Sequence, residues 1–267
     1  MISAESAISR FRRDLTLGAL MRGALLTLAA LSLLSGPVLG GKYDATLVLL
    51  AVGAVWLVLS YRSMRGSRIV ADSPSLIAAG QYDAAEQRIV AGLHAFSLFK
   101  TGKLLALHHL AVLRHAQRRW RECAMLARAL LRQRPAPASG LARSAHLILA
   151  DALLESDDLP GAYENIVRLY QQRLSLAEAI NLLAVQTEYE ARLGAWPAML
   201  ARVESKVQLS ELMPSRQSAT VQALLSLAAR RSGQSDLENW LRRRAELLAS
   251  PDELCARHAM LRELWAQ

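Results

Sequence analysis

The sequence predicts an all-α protein in which an N-terminal transmembrane helical hairpin is followed by an α-solenoid, and three observations support this prediction. Two uncharged apolar runs, Gly23–Gly41 and Ala45–Tyr61, lie close together near the N-terminus. Short breaks in the helical pattern then recur at a nearly constant interval along the chain. Alanine and leucine are abundant, aromatic residues make up 5% of the sequence, and no segment alternates as a strand would.

The two apolar runs predict an integral membrane protein with two spans. Each run is close to the roughly 17–25 residues that a helix needs to cross a bilayer. We place the hairpin at residues 17–61, with spans at about 17–39 and 45–61. The alternatives are a soluble hairpin buried in a core, which would normally keep a polar stripe, and a cleaved signal peptide followed by one span.

Basic residues flank the hairpin on both outer sides, and the loop between the runs carries Lys42 offset by Asp44. Since positive residues stay on the cytoplasmic side, both termini are predicted to be cytoplasmic. With a net charge of +9, the flanks also predict attraction to anionic lipid. Nucleic acid is not an expected partner, because no basic stretch is interleaved with stacking aromatic residues. The flanking residues in question are Arg10, Arg12, Arg13, Arg62, Arg65 and Arg68.

Two basic segments adjoin the hairpin. Residues 1–16 form the first, in which Ile8, Phe11 and Leu15 fall on one helical face. This segment is predicted to be either a short interfacial helix leading into the first span or a frayed tail. Residues 62–73 form a basic connector that ends in a capping residue followed by a proline.

The repeated breaks begin at residues 80, 118, 157, 194 and 233, which gives a period of about 37–39 residues. In the second repeat, small residues lie where two helices would cross, Trp120 opens the second helix and Pro135 ends it. This arrangement resembles the tetratricopeptide repeat (TPR) family of paired antiparallel helices. The resemblance covers roughly residues 74–249, and residues 250–267 are predicted to be a helix that caps the open end of the solenoid.

The TPR resemblance implies a scaffold that binds another protein on a concave helical face. Two spans followed by such repeats are also similar to the layout of HemY-type proteins, which implies an accessory role in a membrane-associated pathway such as tetrapyrrole synthesis or envelope assembly. Asp151 and Glu188 are expected to meet the partner most directly, because neither has an evident structural duty. Aligning the repeats places ten residues on this face: His108, Val112, His115, Leu147, Asp151, Leu154, Glu188, Ala191, Leu227 and Arg230.

No sequence motif indicates an enzyme, because the GxSxG nucleophile signature, HExxH and the dinucleotide-binding glycines are all missing. A membrane enzyme with an unrecognised site is the third possibility, and no cofactor is predicted. His108 and His115 lie seven residues apart, whereas helical metal-binding pairs are usually three or four apart, so no metal site is predicted. Cys123 and Cys255 are predicted to be reduced thiols that pack as small apolar residues.

Local signals add expectations about the helices. Capping boxes are predicted at Ser175, Ser235 and Ser250, each followed three residues later by a glutamate. Trp120 is expected to be buried between helices. Residues 70–267 are expected to fold without the anchor, because the repeats would pair their hydrophobic faces with one another.

Overall fold

The computed structural model describes residues 2–38, 45–135 and 140–266, and every regular element in these ranges is helical. The all-α prediction is therefore confirmed for the described chain, while the predicted loop at 40–44 and the residues after Pro135, 136–139, lie outside it. The helices are α1 (Ala4–Val38), α2 (Ala45–Ala71), α3 (Ser73–Ala78), α4 (Tyr82–His94), α5 (Lys100–Ala116), α6 (Trp120–Leu131), α7 (Leu141–Glu155), α8 (Leu159–Tyr170), α9 (Leu176–Arg192), α10 (Trp196–Leu200), α11 (Val203–Ser210), α12 (Ser215–Arg231), α13 (Ser235–Leu248), α14 (Pro251–Arg257) and α15 (Arg262–Trp265).

The chain forms two compact units, Met1–Ala152 and Leu153–Gln267. Unit 1 has a core built on α5, in which Leu107 and Leu110 are fully buried. Unit 2 has a separate core built on α12, where alanine and leucine side chains are buried along nearly the whole helix. Each unit therefore buries its own apolar surface, which is the requirement for a compact domain.

Helices α1 and α2 are long and apolar enough to cross a membrane by length and composition. Only 11% and 6% of their most apolar windows are buried within the chain, so a soluble hairpin hidden in a core is not what they form. Large apolar side chains point outward instead, with Leu20 70% and Leu57 71% exposed. An apolar surface of this kind is stable when it faces lipid rather than water.

The predicted tail at the N-terminus is part of unit 1. Helix α1 runs without a break from Ala4, and Phe11 on it is 1% exposed in the core of unit 1. Ile8 and Leu15 also pack against this core. They do share a face, as predicted, and the segment is a helix that leads into the first apolar run, so the frayed-tail interpretation was wrong. The interfacial placement was also wrong, because that face is covered by protein rather than by lipid.

Most of the predicted connector is helical as well. Helix α2 continues to Ala71, so the arginines at 62–68 lie on an extension of the second apolar run. Val70, near the end of α2, is completely buried in the core of unit 1. Gly92 on α4 makes this packing possible, because a Cβ atom there would collide with the Val70 side chain. Helix α3 then begins at Ser73, with Pro74 in its first turn.

The loop between α4 and α5 joins α2 to the rest of unit 1. The Ser63 hydroxyl on α2 accepts a hydrogen bond from the Leu98 backbone N–H at 3.2 Å and lies 3.1 Å from the Ser97 hydroxyl. Phe99 meets Trp56 of α2 edge to face, with 6.3 Å between ring centroids. These contacts tie the part of the hairpin nearest its charged ends to the rest of unit 1.

The five predicted breaks all coincide with turns between helices. Each turn has one residue with a positive φ, between 57° and 74°, at the first position of the predicted break. The next residue donates its N–H to a carbonyl five residues earlier over 2.8–2.9 Å, which is the hydrogen bond that ends many helices in a left-handed residue. The helix–turn–helix spacing is therefore confirmed. The positive-φ residues are Gly80, Arg118, Asp157, Gly194 and Gly233.

Unit 2 departs from uniform helix pairs at two places. The helix opened by Trp196 is only five residues long, and the chain turns through Arg202, which has φ 53°, before α11 begins. The predicted C-terminal helix is also broken: α14 ends before His258, and a 3-10 turn, Ala259–Leu261, separates it from α15. Leu254 and Leu261 are nevertheless buried, so this segment packs against the core of unit 2.

The predicted helix starts had mixed outcomes. Ser175 forms a complete capping box with Glu178, and the Ser250 hydroxyl accepts a hydrogen bond from the Glu253 backbone N–H. The Ser235 prediction was wrong, because α13 starts at Ser235 itself and Gln234 takes the capping position without a side-chain bond. The preceding tight turn fixes where the helix starts, and this leaves Ser235 one residue too late to cap it.

Candidate functional site

The start of α1 is tied to α4 and α5 by a buried charge cluster. Arg114, which is fully buried on α5, donates to the two carboxylate oxygens of Glu86 at 2.9 and 3.3 Å. It also donates to the Ile2 carbonyl oxygen at 2.7 Å, and the Ile2 N–H donates to Glu86 at 2.8 Å. Burial would raise the pKa of Glu86, but the hydrogen bonds from Arg114 and Ile2 outweigh burial and lower it. Glu86 is therefore ionised at neutral pH and holds the N-terminus of α1 in place.

A solvent-open cleft of about 1180 Å³ lies between the first turns of α1 and helix α4. The wall on α1 carries serines at every third position, whose hydroxyls donate hydrogen bonds within this segment. The charge cluster closes one end of the cleft, and positive groups gather at the end nearer the apolar part of α1. The lining residues are Ile2, Ser3, Ser6, Ser9, Arg10, Arg13, Asp83, Glu86, Gln87, Val90 and His94.

The positive end of the cleft, defined by Arg10, Arg13 and His94, is hereafter called the basic end. The Arg10 guanidinium donates to the Nε2 atom of His94. Partial loss of water contact, together with the charges of Arg10 and Lys103, lowers the pKa of His94 despite the opposing effect of Asp14. His94 is therefore neutral at pH 7, and the positive charge of the basic end comes from Arg10 and Arg13.

Carboxylates near the basic end are already engaged. The Asp14 carboxylate accepts a hydrogen bond from the buried Lys103 ammonium at 2.6 Å, and Glu86 is bound by Arg114. Within the described residues, neither Arg10 nor Arg13 has a carboxylate within 4 Å, so their charges are not neutralised by the protein. The cleft thus has uncompensated positive charge at one end.

The predicted partner-binding residues of α5 and α7 include two side-chain pairs. His115 Nε2 lies 2.5 Å from an Asp151 carboxylate oxygen, and His108 Nε2 lies 3.3 Å from the Ser144 hydroxyl. Burial, and then the neighbouring His109, lowers the pKa of His108 to about 4. Val112 is half-buried and Leu147 is buried. The expectation that Asp151 lacks a structural duty was wrong, because it pairs with His115 across two helices.

In unit 2 most of the predicted face is covered. Leu154, Ala191 and Leu227 are at most 4% exposed, so their side chains pack inside the protein. Glu188 is also buried and accepts a hydrogen bond from Arg192 at 2.6 Å, which gives it the structural duty that was not expected. Arg230 is exposed and donates to the Glu263 carbonyl oxygen. Positions where helices cross are buried by the neighbouring helix, and sequence alignment of repeats does not separate them from positions that face solvent.

The six arginines predicted to meet anionic lipid are largely accessible. Five of them are exposed, and Arg10 is half-buried. Arg62 and Arg65 on α2 also border a small apolar groove of about 230 Å³, formed with Tyr61 and Phe96. Arg22, within the predicted first span and just before the uncharged run, turns back along the helix and donates to the Gly18 carbonyl oxygen at 3.3 Å. A long basic side chain that runs back towards a helix end in this way can keep its charge near water.

The cysteines and histidines form no evident reactive or metal centre in the described chain. Cys123 is buried as predicted, and burial raises the pKa of its thiol to about 12, so it stays protonated. Cys255 is free and partly exposed. Among the residues that the structure describes, no three His, Cys, Asp or Glu side chains lie close enough to hold a metal ion.

Sequence reasoning missed the cleft and an aromatic pair. The signal for the cleft was available, since Ser3, Ser6 and Ser9 recur at helical spacing on the face of α1 that carries no large apolar residue. Tyr163 and Tyr189 stack with 5.7 Å between ring centroids, and no sequence pattern predicts this contact between residues 26 positions apart. Long-range pairs of this kind depend on how helices pack, which no local pattern specifies.

No family model, no curated protein and no solved structure matches this chain.

Proposed function

We propose that this chain is a membrane-anchored scaffold in which a cytoplasmic TPR-like helical domain binds another protein. The observation that carries the proposal is the junction between the apolar helices and unit 1. Helices α1 and α2 continue from exposed apolar surfaces directly into the core, where Phe11 and Val70 are buried. Such a junction holds a helical domain at the membrane surface, as an anchored scaffold requires.

The junction supports a hairpin with both outer ends on one side of the membrane. Phe11 precedes the first span, Val70 follows the second, and both side chains belong to one hydrophobic core. The exposed arginines on these outer ends favour the cytoplasmic side. Cleavage of the first run as a signal peptide would remove Phe11 from unit 1, so we propose that this run is retained.

The topology is tested with reporters fused after Gln267. An enzyme that is active only outside the cytoplasm should be inactive there, and one that is active only inside should be active. Intact-mass measurement of the purified chain should also find the N-terminal segment present. High activity of the external reporter, or a mature protein that begins after the first run, would refute this topology.

The α5–α7 face is the part of the predicted binding surface that stays accessible. Val112 is half-buried, and the His115 and Asp151 side chains are 32% and 22% exposed. Charge reversal at Asp151 would break its pair with His115, so crosslinking is the cleaner test. A photoreactive amino acid at Val112 should yield a discrete protein adduct in cells. The matched control is Met125 on α6, which is 38% exposed.

The crosslinking result separates two surfaces. An adduct at Val112 but not at Met125 supports partner binding on the α5–α7 face. An adduct at Met125 alone would move the binding surface to α6. The absence of a protein adduct at both positions would count against a scaffold role for unit 1.

Anionic lipid is proposed as a second binding partner, supported by the exposed arginines of both helices. Each basic residue near an anionic membrane surface contributes about 1 kcal/mol of attraction. Native mass spectrometry of the detergent-extracted chain should show retained anionic lipid. Retention should fall when Arg62 and Arg65, which border the apolar groove, are both changed to Gln. Retention equal to that of the wild type would exclude these two arginines as a lipid site.

A further inference from the structure

We propose that the basic end of the cleft binds a phosphate group, which Arg10 and Arg13 hold through their guanidinium groups and His94 holds through its imidazole ring. The site lies between α1 and α4. It does not use the α5–α7 face, so this inference stands or falls separately from the scaffold function.

The donor groups of the basic end share one wall of the cleft and its facing helix. Arg10 and His94 are in contact, and Arg13 follows Arg10 by three residues on α1 and lines the same cleft. Residues three apart on a helix lie on the same face. A guanidinium group offers several N–H donors in a planar fork that matches two phosphate oxygens. The Ser9 hydroxyl on the same wall provides a neutral polar group beside them.

The charges at the basic end are suited to a phosphate group. Asp14 and Glu86 are held by Lys103 and Arg114, so they do not neutralise the basic end. Asp83 also lines the cleft, but it lies eleven residues before His94 on α4, which is about 16 Å along a helix. Two uncompensated guanidinium charges match the charge of roughly −1.5 to −2 on a phosphate monoester at pH 7.

The protonation state of His94 should change when an anion binds. Arg10 and Asp14 face it from α1, and Lys103 faces it from α5. The two cations and the loss of water contact keep the ring neutral at pH 7. A bound dianion would offset the positive charges around the ring, raise the pKa of His94 and lead it to take up a proton. Phosphate binding should therefore be accompanied by proton uptake and should strengthen as His94 becomes protonated.

The position of the site allows two sources of phosphate. Arg13 lies nine residues before Arg22, about 14 Å along the axis of α1. This places the basic end beside the headgroup layer of a membrane that α1 crosses, in contact with water. A lipid headgroup and a soluble phosphate compound offer the same phosphate chemistry there, and the experiment below distinguishes them.

The test is calorimetric titration of the full chain with inorganic phosphate in a neutral detergent. Arg13→Gln removes one donor, and Arg12→Gln is the matched control, because Arg12 is an exposed neighbour on α1 that does not line the cleft. The loss of a charge-assisted contact should weaken binding by about tenfold in Arg13→Gln, while Arg12→Gln should bind within about twofold of wild type.

Proton uptake is measured with sulfate, which stays dianionic and so contributes no titration of its own. Titrations in two buffers with different ionisation enthalpies should show uptake by the wild type and none by His94→Asn. The source is distinguished by repeating the phosphate titration in nanodiscs. Phosphatidic acid should weaken phosphate binding relative to phosphatidylcholine if a lipid headgroup occupies the site, and equal affinities would assign it to a soluble ligand.

Three results would overturn the proposal. The first is equal weakening by Arg12→Gln and Arg13→Gln, which would indicate diffuse charge attraction rather than a site. The second is proton uptake that persists unchanged in His94→Asn. The third is the absence of a binding heat for both anions in the wild-type chain.

Discussion

The role of the N-terminal segment can be tested at Phe11. Its side chain is 1% exposed and lies in the core that also contains Leu107 and Leu110. Phe11→Ala removes the whole of a buried aromatic ring, and α1 is held too firmly by the Ile2–Glu86–Arg114 cluster to close the space completely.

Emptying a buried aromatic site costs about 3–5 kcal/mol of unfolding free energy, because transfer energy and a residual cavity add together. A frayed tail or a segment lying in lipid would behave differently, since an exposed substitution usually changes stability by less than about 0.5 kcal/mol. The two interpretations therefore differ several-fold in expected magnitude.

The assay is denaturant unfolding of the full chain in detergent, followed by circular dichroism. Leu20→Ala is the matched control, because it lies on the same helix and is 70% exposed. Phe11→Ala should unfold at clearly lower denaturant concentration than either the wild type or this control. Equal midpoints for all three proteins would refute the packing of α1 in unit 1.

Four further outcomes are expected. In a fragment of residues 70–267, the remaining part of unit 1 should be unstable, contrary to the expectation from sequence, because the fragment lacks Phe11. Limited proteolysis should therefore cut the fragment before position 153, and resistance of residues 70–152 to the protease would contradict this prediction. Arg114→Leu should lower the free energy of unfolding by about 3–5 kcal/mol, because it leaves the buried Glu86 carboxylate without its charged partner. The double variant Arg114→Leu with Glu86→Leu should regain much of this lost stability in the same assay. Burial holds the pKa of His108 in the folded protein at about 4, below its ordinary 6.5. The free energy of unfolding should therefore be unaffected by His108 above pH 6.5 and should fall by about 2 kcal/mol by pH 5, as the unfolded state takes up a proton first. His108→Gln should flatten this part of the pH profile of unfolding. Trp120 is half-buried against His115, so Trp120→Ala should cost only about 1–2 kcal/mol, less than a fully buried aromatic, and a larger loss on thermal unfolding would show tighter packing.

Local signals predicted the helix pairs well. The five breaks were recognisable because each needs a residue that can adopt a positive φ, and glycine supplies it at 80, 194 and 233. Arg118 and Asp157 also have a positive φ, although residues of these types adopt it less often than glycine. The spacing of the breaks, rather than any one residue type, identified those two turns.

What covers an apolar face was not predictable. The spacing of Ile8, Phe11 and Leu15 specifies a helical stripe, but lipid and protein satisfy such a stripe equally well. The same limit applies to the predicted binding face, where Leu227 and Ala191 proved to be covered by the protein. The basic end of the cleft combines residues 84 positions apart, and only the packing of α1 on α4 brings Arg10 to His94.

At the junction between the apolar helices and the rest of unit 1, a tilt of the hairpin would be transmitted to the folded part of that unit. Helix α1 has 35 residues and is about 52 Å long, and it passes from the apolar run into the core without a loop that could act as a swivel. Transmembrane helices tilt when their hydrophobic length exceeds the thickness of the bilayer. If the hairpin spans a membrane as we propose, the rest of unit 1 would tilt with it, so bilayer thickness would set the angle at which its cleft faces the lipid surface.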